Sequence, residues 1–220
     1  MTSHIDNTNP LFAGKSIPKI IIQLSWPAIL EQFLICMANL ADTAMVGSIG
    51  PAATASVAIN ISSVWLINGF ITALSAGFSY LVSHAIGEGN KTKVESAVRQ
   101  SLTASILLGF FLTLIVFSIH KKLPVWLGAA PEVLPGATAY MGIFSLGLIG
   151  ETLGVVLSAD LRSAGNTRIP LAANLTSNLF NVAGNFFLIY PSRQIHLPFG
   201  NISIWGAGLG VKGAAISTAC

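Results

Sequence analysis

Glu31 and Asp42 interrupt a stretch, Ile17 to Val46, that holds almost no other charge. Eleven residues is close to three helical turns. On a helix the two carboxylates therefore share one face, about 16 Å apart along the axis, with Ile35 and Ala38 between them. A carboxylate in a dry site is costly to keep charged, so proton or cation binding can neutralise it. That is the chemistry a device driven by an ion gradient requires. The alternative is that one or both lie near the membrane surface and are simply solvated. By position, Glu31 falls mid-span and Asp42 nearer the outer end.

A second pattern lies far downstream. Asn174, Asn178, Asn181 and Asn185 recur at i, i+4, i+7 and i+11, one stripe of one helix. Four amides facing lipid would leave donors and acceptors unsatisfied, so the stripe should face the protein interior. There it could orient water, coordinate a cation through side-chain oxygens, or hold helices together; a polar cavity is the favoured reading. Glu151 is a third carboxylate in an apolar stretch, near Gly147, Gly150 and Gly154. It either lines the cavity or pairs with Arg162, and Gly150 with Gly154 forms a small-xxx-small pair that permits close helix approach. Pro27, one turn before Glu31, removes a backbone hydrogen bond and bends the helix, either as a movable joint or as a static kink. Trp65 and Trp126 read as interface anchors or packing.

The elements that carry these residues follow from composition. Of 220 residues, 53% are hydrophobic and 9% charged, where an ordinary soluble domain carries roughly 25% charge. Too few charges remain to coat a soluble surface, whereas lipid lets apolar side chains face outward. Spans of about 20 residues are expected at 17–46, 55–86, 94–119, 133–159 and 169–190. A sixth, 208–220, is cut off at Cys220. The fold class is an all-α membrane bundle of five complete transmembrane helices plus the start of a sixth. The loop from Pro191 to Ala207 reads as a short hairpin cap at the membrane surface.

Lys and Arg number seven on one side (Lys15, Lys19, Lys91, Lys93, Arg99, Arg162, Arg168) and four on the other (Lys121, Lys122, Arg193, Lys212). The excess places residues 1–16 as a cytoplasmic tail before one transmembrane lobe, 17–220. No cleavable signal peptide is visible. Because the sixth span stops short, the 220 residues are expected to be part of a longer protein. The net charge of +3 is spread out, which argues against nucleic acid as a partner. Cys36 and Cys220 lie in apolar stretches and the four histidines share no ligand spacing, so neither disulfide nor metal site is expected. No nucleophile–base set or metal motif points to an enzyme. The glycine-rich Gly206–Gly210 follows no βαβ pattern, and the sequons at Asn60 and Asn201 are patterns frequent by chance.

Four segments resemble the MATE (multidrug and toxic compound extrusion) family. Trp26-Pro27-Ala28-Ile29-Leu30-Glu31 followed by Asn39-Leu40-Ala41-Asp42-Thr43-Ala44-Met45-Val46-Gly47 is similar to its first helix. Ala76-Gly77, Leu81-Val82-Ser83 and Ala85-Ile86-Gly87-Glu88-Gly89 resemble the end of its second helix. Leu161-Arg162-Ser163-Ala164-Gly165-Asn166-Thr167-Arg168-Ile169-Pro170 is similar to its L-R-x-x-G-[DN]-T-R-x-P loop. Gly210-Val211-Lys212-Gly213-Ala214-Ala215-Ile216-Ser217-Thr218 resembles the opening of its sixth helix. The resemblance implies a two-lobed, twelve-helix antiporter of the cell membrane that exports small organic cations in exchange for protons or sodium by alternating access. Only the N-terminal lobe would be present, with the C-terminal lobe as its missing partner. It implies Asp42 as the coupling carboxylate, with Asn181 in the same site and Thr218 offering a hydroxyl. Asn185 stands where one branch of the family has an acid, so a two-carboxylate sodium site is in doubt and the coupling ion stays open. No other cofactor is implied. The alternatives are a lipid-linked sugar flippase of the same superfamily, for which more basic residues in the cavity would be expected, and a non-transporting truncated membrane fragment.

Overall fold

Helix α1 occupies Ile17–Gly47 with Pro27 inside it, and its 31 residues extend about 46 Å, more than the roughly 30 Å hydrocarbon core. The computed structural model describes residues 17–197 and 200–219; the expected tail 1–16 and Cys220 lie outside the described residues. After a turn, α2 (Pro51–Ala58) opens with proline in its first turn, where a missing N–H costs little. Then α3 covers Ile61–Gly87. The second span was expected to start at 55 and run unbroken. Instead it starts at Pro51 and breaks at Ile59–Asn60. Buried Asn60 explains the break, because its Nδ2 donates to the Ser56 carbonyl and, across the bundle, to the Ala137 carbonyl, both at 3.0 Å. Such side-chain bonds compete with the helix's own ladder.

Asn90 caps α4 (Lys91–Ile119) by accepting from the Lys93 N–H at 3.0 Å. Beside it, exposed Glu88 bonds Lys93 at 2.6 Å. That hydrogen bond, with the nearby Lys93 and His84 charges, holds its carboxyl below the ordinary range. A single turn, α5 (Leu123–Trp126), then leads to α6 (Leu134–Ser163). The sequence reading did not foresee α5, and it ended the fourth span at 159. Helix α6 runs four residues further because nothing in Asp160–Ser163 breaks it and positive-φ Gly165 lies just beyond its end. Helix α7 is Arg168–Leu188. The expected hairpin is present as β1 (Pro191–Leu197) paired antiparallel with β2 (Gly200–Ala207), followed by α8 (Val211–Ala219).

Four helical stretches, at 25–47, 51–87, 91–119 and 134–163, are long and apolar enough to cross a membrane. Helix α7 has the length but carries four asparagines in 21 residues. Helix α6 is the axis of the lobe: Tyr140, Met141, Phe144 and Leu148 form the main core with Ile67 and Ile71 of α3, Val116 of α4 and Ala215 of α8. Large apolar side chains such as Trp26, Leu40, Trp65, Phe70 and Trp126 point outward, as lipid contact demands.

Close helix approach is set by glycines other than the expected pair. A Cβ on Gly213 of α8 would lie 2.6 Å from the Leu188 backbone, and one on Gly109 of α4 would lie 2.8 Å from Ile149 Cα. A Cβ on Gly150 or Gly154 meets nothing within 4 Å. Those two hold space open rather than closing a contact. Gly213→Ala is expected to destabilise the lobe by about 1–3 kcal/mol, whereas Gly150→Ala leaves stability nearly unchanged. Thermal unfolding of the purified protein in detergent checks this; equal melting of the two variants contradicts it.

Candidate functional site

Helices α1 and α7 run parallel and in register. The side chain of Asn174 bonds Glu31 Oε1 and that of Asn185 bonds Asp42 Oδ1, and in both pairs the partners are 143 residues apart in sequence. The eleven-residue spacing on α1 is thus met by the same spacing on α7, three turns on each helix. A carboxylate in an apolar bundle needs donors, and the asparagine stripe supplies them at matching heights. The expectation that the stripe faces inward holds.

At the upper level, nearer the hairpin, Asn185 is fully buried. Its Nδ2 donates to Asp42 at 2.7 Å and lies 3.3 Å from Asn181 Oδ1. Asn181 Nδ2 in turn lies 3.5 Å from the Thr218 hydroxyl of α8, the outer limit of a hydrogen bond. Asp42, Asn181, Asn185 and Thr218 are therefore one connected group drawn from three helices. Asn185 Oδ1 is buried without a hydrogen-bond partner. Tyr190 closes the level, its hydroxyl 2.7 Å from Ser48 Oγ beyond the end of α1.

At the lower level the structure corrects the sequence reading. Arg162 does not pair with Glu151. Its guanidinium bonds Glu31 at 2.8 Å, with the Glu31 side chain 8% exposed and that of Arg162 35% exposed. Glu31 is consequently not an isolated carboxylate, because Arg162 at the end of α6 reaches it across the bundle. Glu151 instead faces the Asn68 amide of α3. Between the levels, Asn178 has a buried Nδ2 without a partner.

Two clefts adjoin this line of polar groups. One, of about 390 Å³, is bordered by Glu31, Gln32, Gly154, Ser158, Arg162 and Asn174. The other, of about 330 Å³, is bordered by Gly147, Gly150, Glu151, Gly154, Asn174 and Thr218. Gly154 and Asn174 belong to both, and Thr218 ties the second to the Asp42 group. Glu31 and Asn174 border the first cleft and Glu151 and Asn174 the second, whereas Asn178 is among the residues of neither. Pro27 sits one turn below Glu31 within continuous α1.

Sequence reasoning missed Asp160. It is 5% exposed, accepts from Ser101 Oγ of α4 at 2.5 Å, and leaves Oδ1 unpartnered. Its only sequence signal was a carboxylate one residue past the expected end of the fourth span. Ala97, Ser101, Ser105 and Gly109 make the small, buried stripe of α4 that lets Asp160 approach. Among the described residues no group of three His, Cys, Asp or Glu side chains could hold a metal.

The MatE family model matches residues 27–187. The chain belongs to the MatE family. It is 28% identical over 202 residues to a probable multidrug resistance protein NorM of Thermotoga maritima, covering 92% of this chain and 41% of that protein. It is 24% identical over 198 residues to an uncharacterised Bacillus subtilis transporter, YisQ. Among solved structures it is similar to a MOP superfamily transporter from Pyrococcus furiosus, described as having a binding pocket of reversed polarity. The TM-score is 0.80 and the identity 25%, with coverage of 92% of this chain and 42% of that one. A multidrug resistance MATE transporter in an outward-facing conformation matches equally well, with a TM-score of 0.80. The chain therefore spans about two fifths of the length of these relatives, which are named as multidrug resistance proteins or transporters and not as enzymes, and it is a membrane protein.

Removing Arg162 alone should leave Glu31 charged and buried, at a cost of up to about 3–5 kcal/mol. Arg162→Gln is expected to melt well below the Glu31→Gln/Arg162→Gln double variant in detergent. If the double variant is the less stable of the two, Glu31 is not held by this pair.

Proposed function

We propose that the intact protein exports small, organic, drug-like cations in exchange for protons or sodium ions, by alternating access between this lobe and a C-terminal lobe, in the cell membrane with its N-terminus cytoplasmic. The observation that carries this reading is the Asp42–Asn185 bond at 2.7 Å between two parallel helices. Charged Asp42 accepts from Asn185, so the bond favours α1 docked on α7. A neutral or cation-bound Asp42 draws less from that donor and relaxes the contact. Occupancy at one carboxylate thus biases two arrangements of α1, as a gradient-driven cycle requires. Pro27 is the hinge about which α1 moves, because it already lacks one ladder bond. Support for drug-like substrates comes from the NorM relatives, which are named as multidrug resistance proteins.

The flippase reading is weaker. Among the described residues, Arg162 is the one cation bordering the two clefts, and Glu31 neutralises it, which leaves little to attract a lipid-linked phosphate.

Asp42→Asn keeps size and hydrogen bonding but fixes the group as neutral. In the protein expressed from its natural gene it is expected to insert and accumulate normally while gradient-driven efflux falls at least about tenfold, the order of a typical coupling free energy between two sites. Efflux of a fluorescent organic cation from energised vesicles, normalised to protein level, measures this. Unchanged efflux would place coupling outside this lobe.

A further inference from the structure

The proposed transport site leaves unused a groove on the outer face of α4, α5 and α6, toward the hairpin end of the bundle. Its volume is about 830 Å³, and Phe117, Val125, Leu134, Ala139, Ile143 and Leu146 supply its apolar wall. Leu134 and Leu146 lie about 18 Å apart along α6, close to the depth of one leaflet of a roughly 30 Å hydrocarbon core. Three basic groups border the same groove: His120 and Lys121 just past the end of α4, and Lys212 at the start of α8. All three sit at helix ends, so the groove is apolar along its length and cationic at the membrane surface.

Two further observations fix what such a groove suits. Among the described residues the ion pairs are His84–Glu88, Lys93–Glu88 and Arg162–Glu31. Neither Lys121 nor Lys212 has a carboxylate partner, although Glu132 lies in the same connecting segment. The His120 ring is set in place, its Nδ1 2.5 Å from the Phe117 carbonyl and its face stacked on Phe117. Gly142 makes room for it, because a Cβ there would come within 3.0 Å of His120 Cδ2. Trp126, adjoining Val125 and 66% exposed, is the residue type that settles at headgroup level.

We propose that this groove is a binding site for one anionic phospholipid of the leaflet at the hairpin end, with an acyl chain along α6 and the phosphate between Lys121 and Lys212. Two unpaired ammonium groups favour a headgroup of net negative charge over a zwitterionic one, by the attraction that draws juxtamembrane lysines to acidic lipid. The site is separate from the clefts of α1 and α7, so it stands or falls independently of the transport reading.

The test uses phosphatidylglycerol carrying a photoactivatable diazirine in its acyl chain, present at low mole fraction in phosphatidylcholine vesicles that hold the protein. Adducts mapped by mass spectrometry are expected on 134–146, and should fall about fivefold or more in Lys121→Gln/Lys212→Gln. Both lysines are exposed, so the variant should fold, and circular dichroism checks that it does. Phosphatidylcholine with the same diazirine should label this segment no better than phosphatidylglycerol labels the variant. Equal labelling by the two lipids, or labelling unchanged in the variant, means ordinary annular contact and overturns the proposal. So does absence of adducts on 134–146, which would mean that the groove is covered by protein.

Discussion

In a bilayer a carboxylate has no water to bond, and the arrangement of this lobe depends on how α1 answers that constraint. Glu31 and Asp42 can stay at depth only if a second helix presents donors at the same two heights. Helix α7 does so with asparagines eleven residues apart. The match sets the register of the two helices and requires them to run parallel, which in turn requires an odd number of crossings of the bundle between them. The three helical spans from Pro51 to Ser163 provide those crossings.

Each end of this ladder then engages a different neighbour. Below, Arg162 compensates Glu31, so α6 is fastened to α1 by charge. Above, among the described residues, Asp42 accepts from the neutral amide of Asn185 on α7. The two carboxylates have the same chemistry and opposite environments: one has its cation built in, the other has a neutral amide that bonds it but does not neutralise it. The proposed coupling role falls to the carboxylate in the second environment, which no built-in cation neutralises. Gly150 and Gly154 contribute by omission, since side chains there would fill the space beside Asn174 and Thr218.

Much of this was legible in the sequence. The spans, the hairpin, the shared face of Glu31 and Asp42, and the inward asparagine stripe follow from periodicity and from the cost of burying polar groups. What stayed hidden depends on tertiary contact. Arg162 has two carboxylates within plausible reach, and only the tertiary placement of its side chain, beside the cleft between α1 and α6, decides for Glu31 over Glu151. Gly150 and Gly154 carry the spacing of a contact motif, yet that spacing says nothing of whether a partner helix arrives. The break at Asn60 needed the Ala137 carbonyl 77 residues away. Asp160 was invisible because its partner, Ser101, lies in another helix.

The proposed transport reading turns on Asp42 binding and releasing a proton or cation. Infrared difference spectroscopy of the protein in membranes, recorded as the pH or sodium concentration is stepped across the working range, reads carboxyl groups directly. A carboxyl band that appears on titration, disappears in Asp42→Asn and persists in Glu31→Gln is the predicted result. A band that survives in Asp42→Asn and is lost in Glu31→Gln would contradict the account.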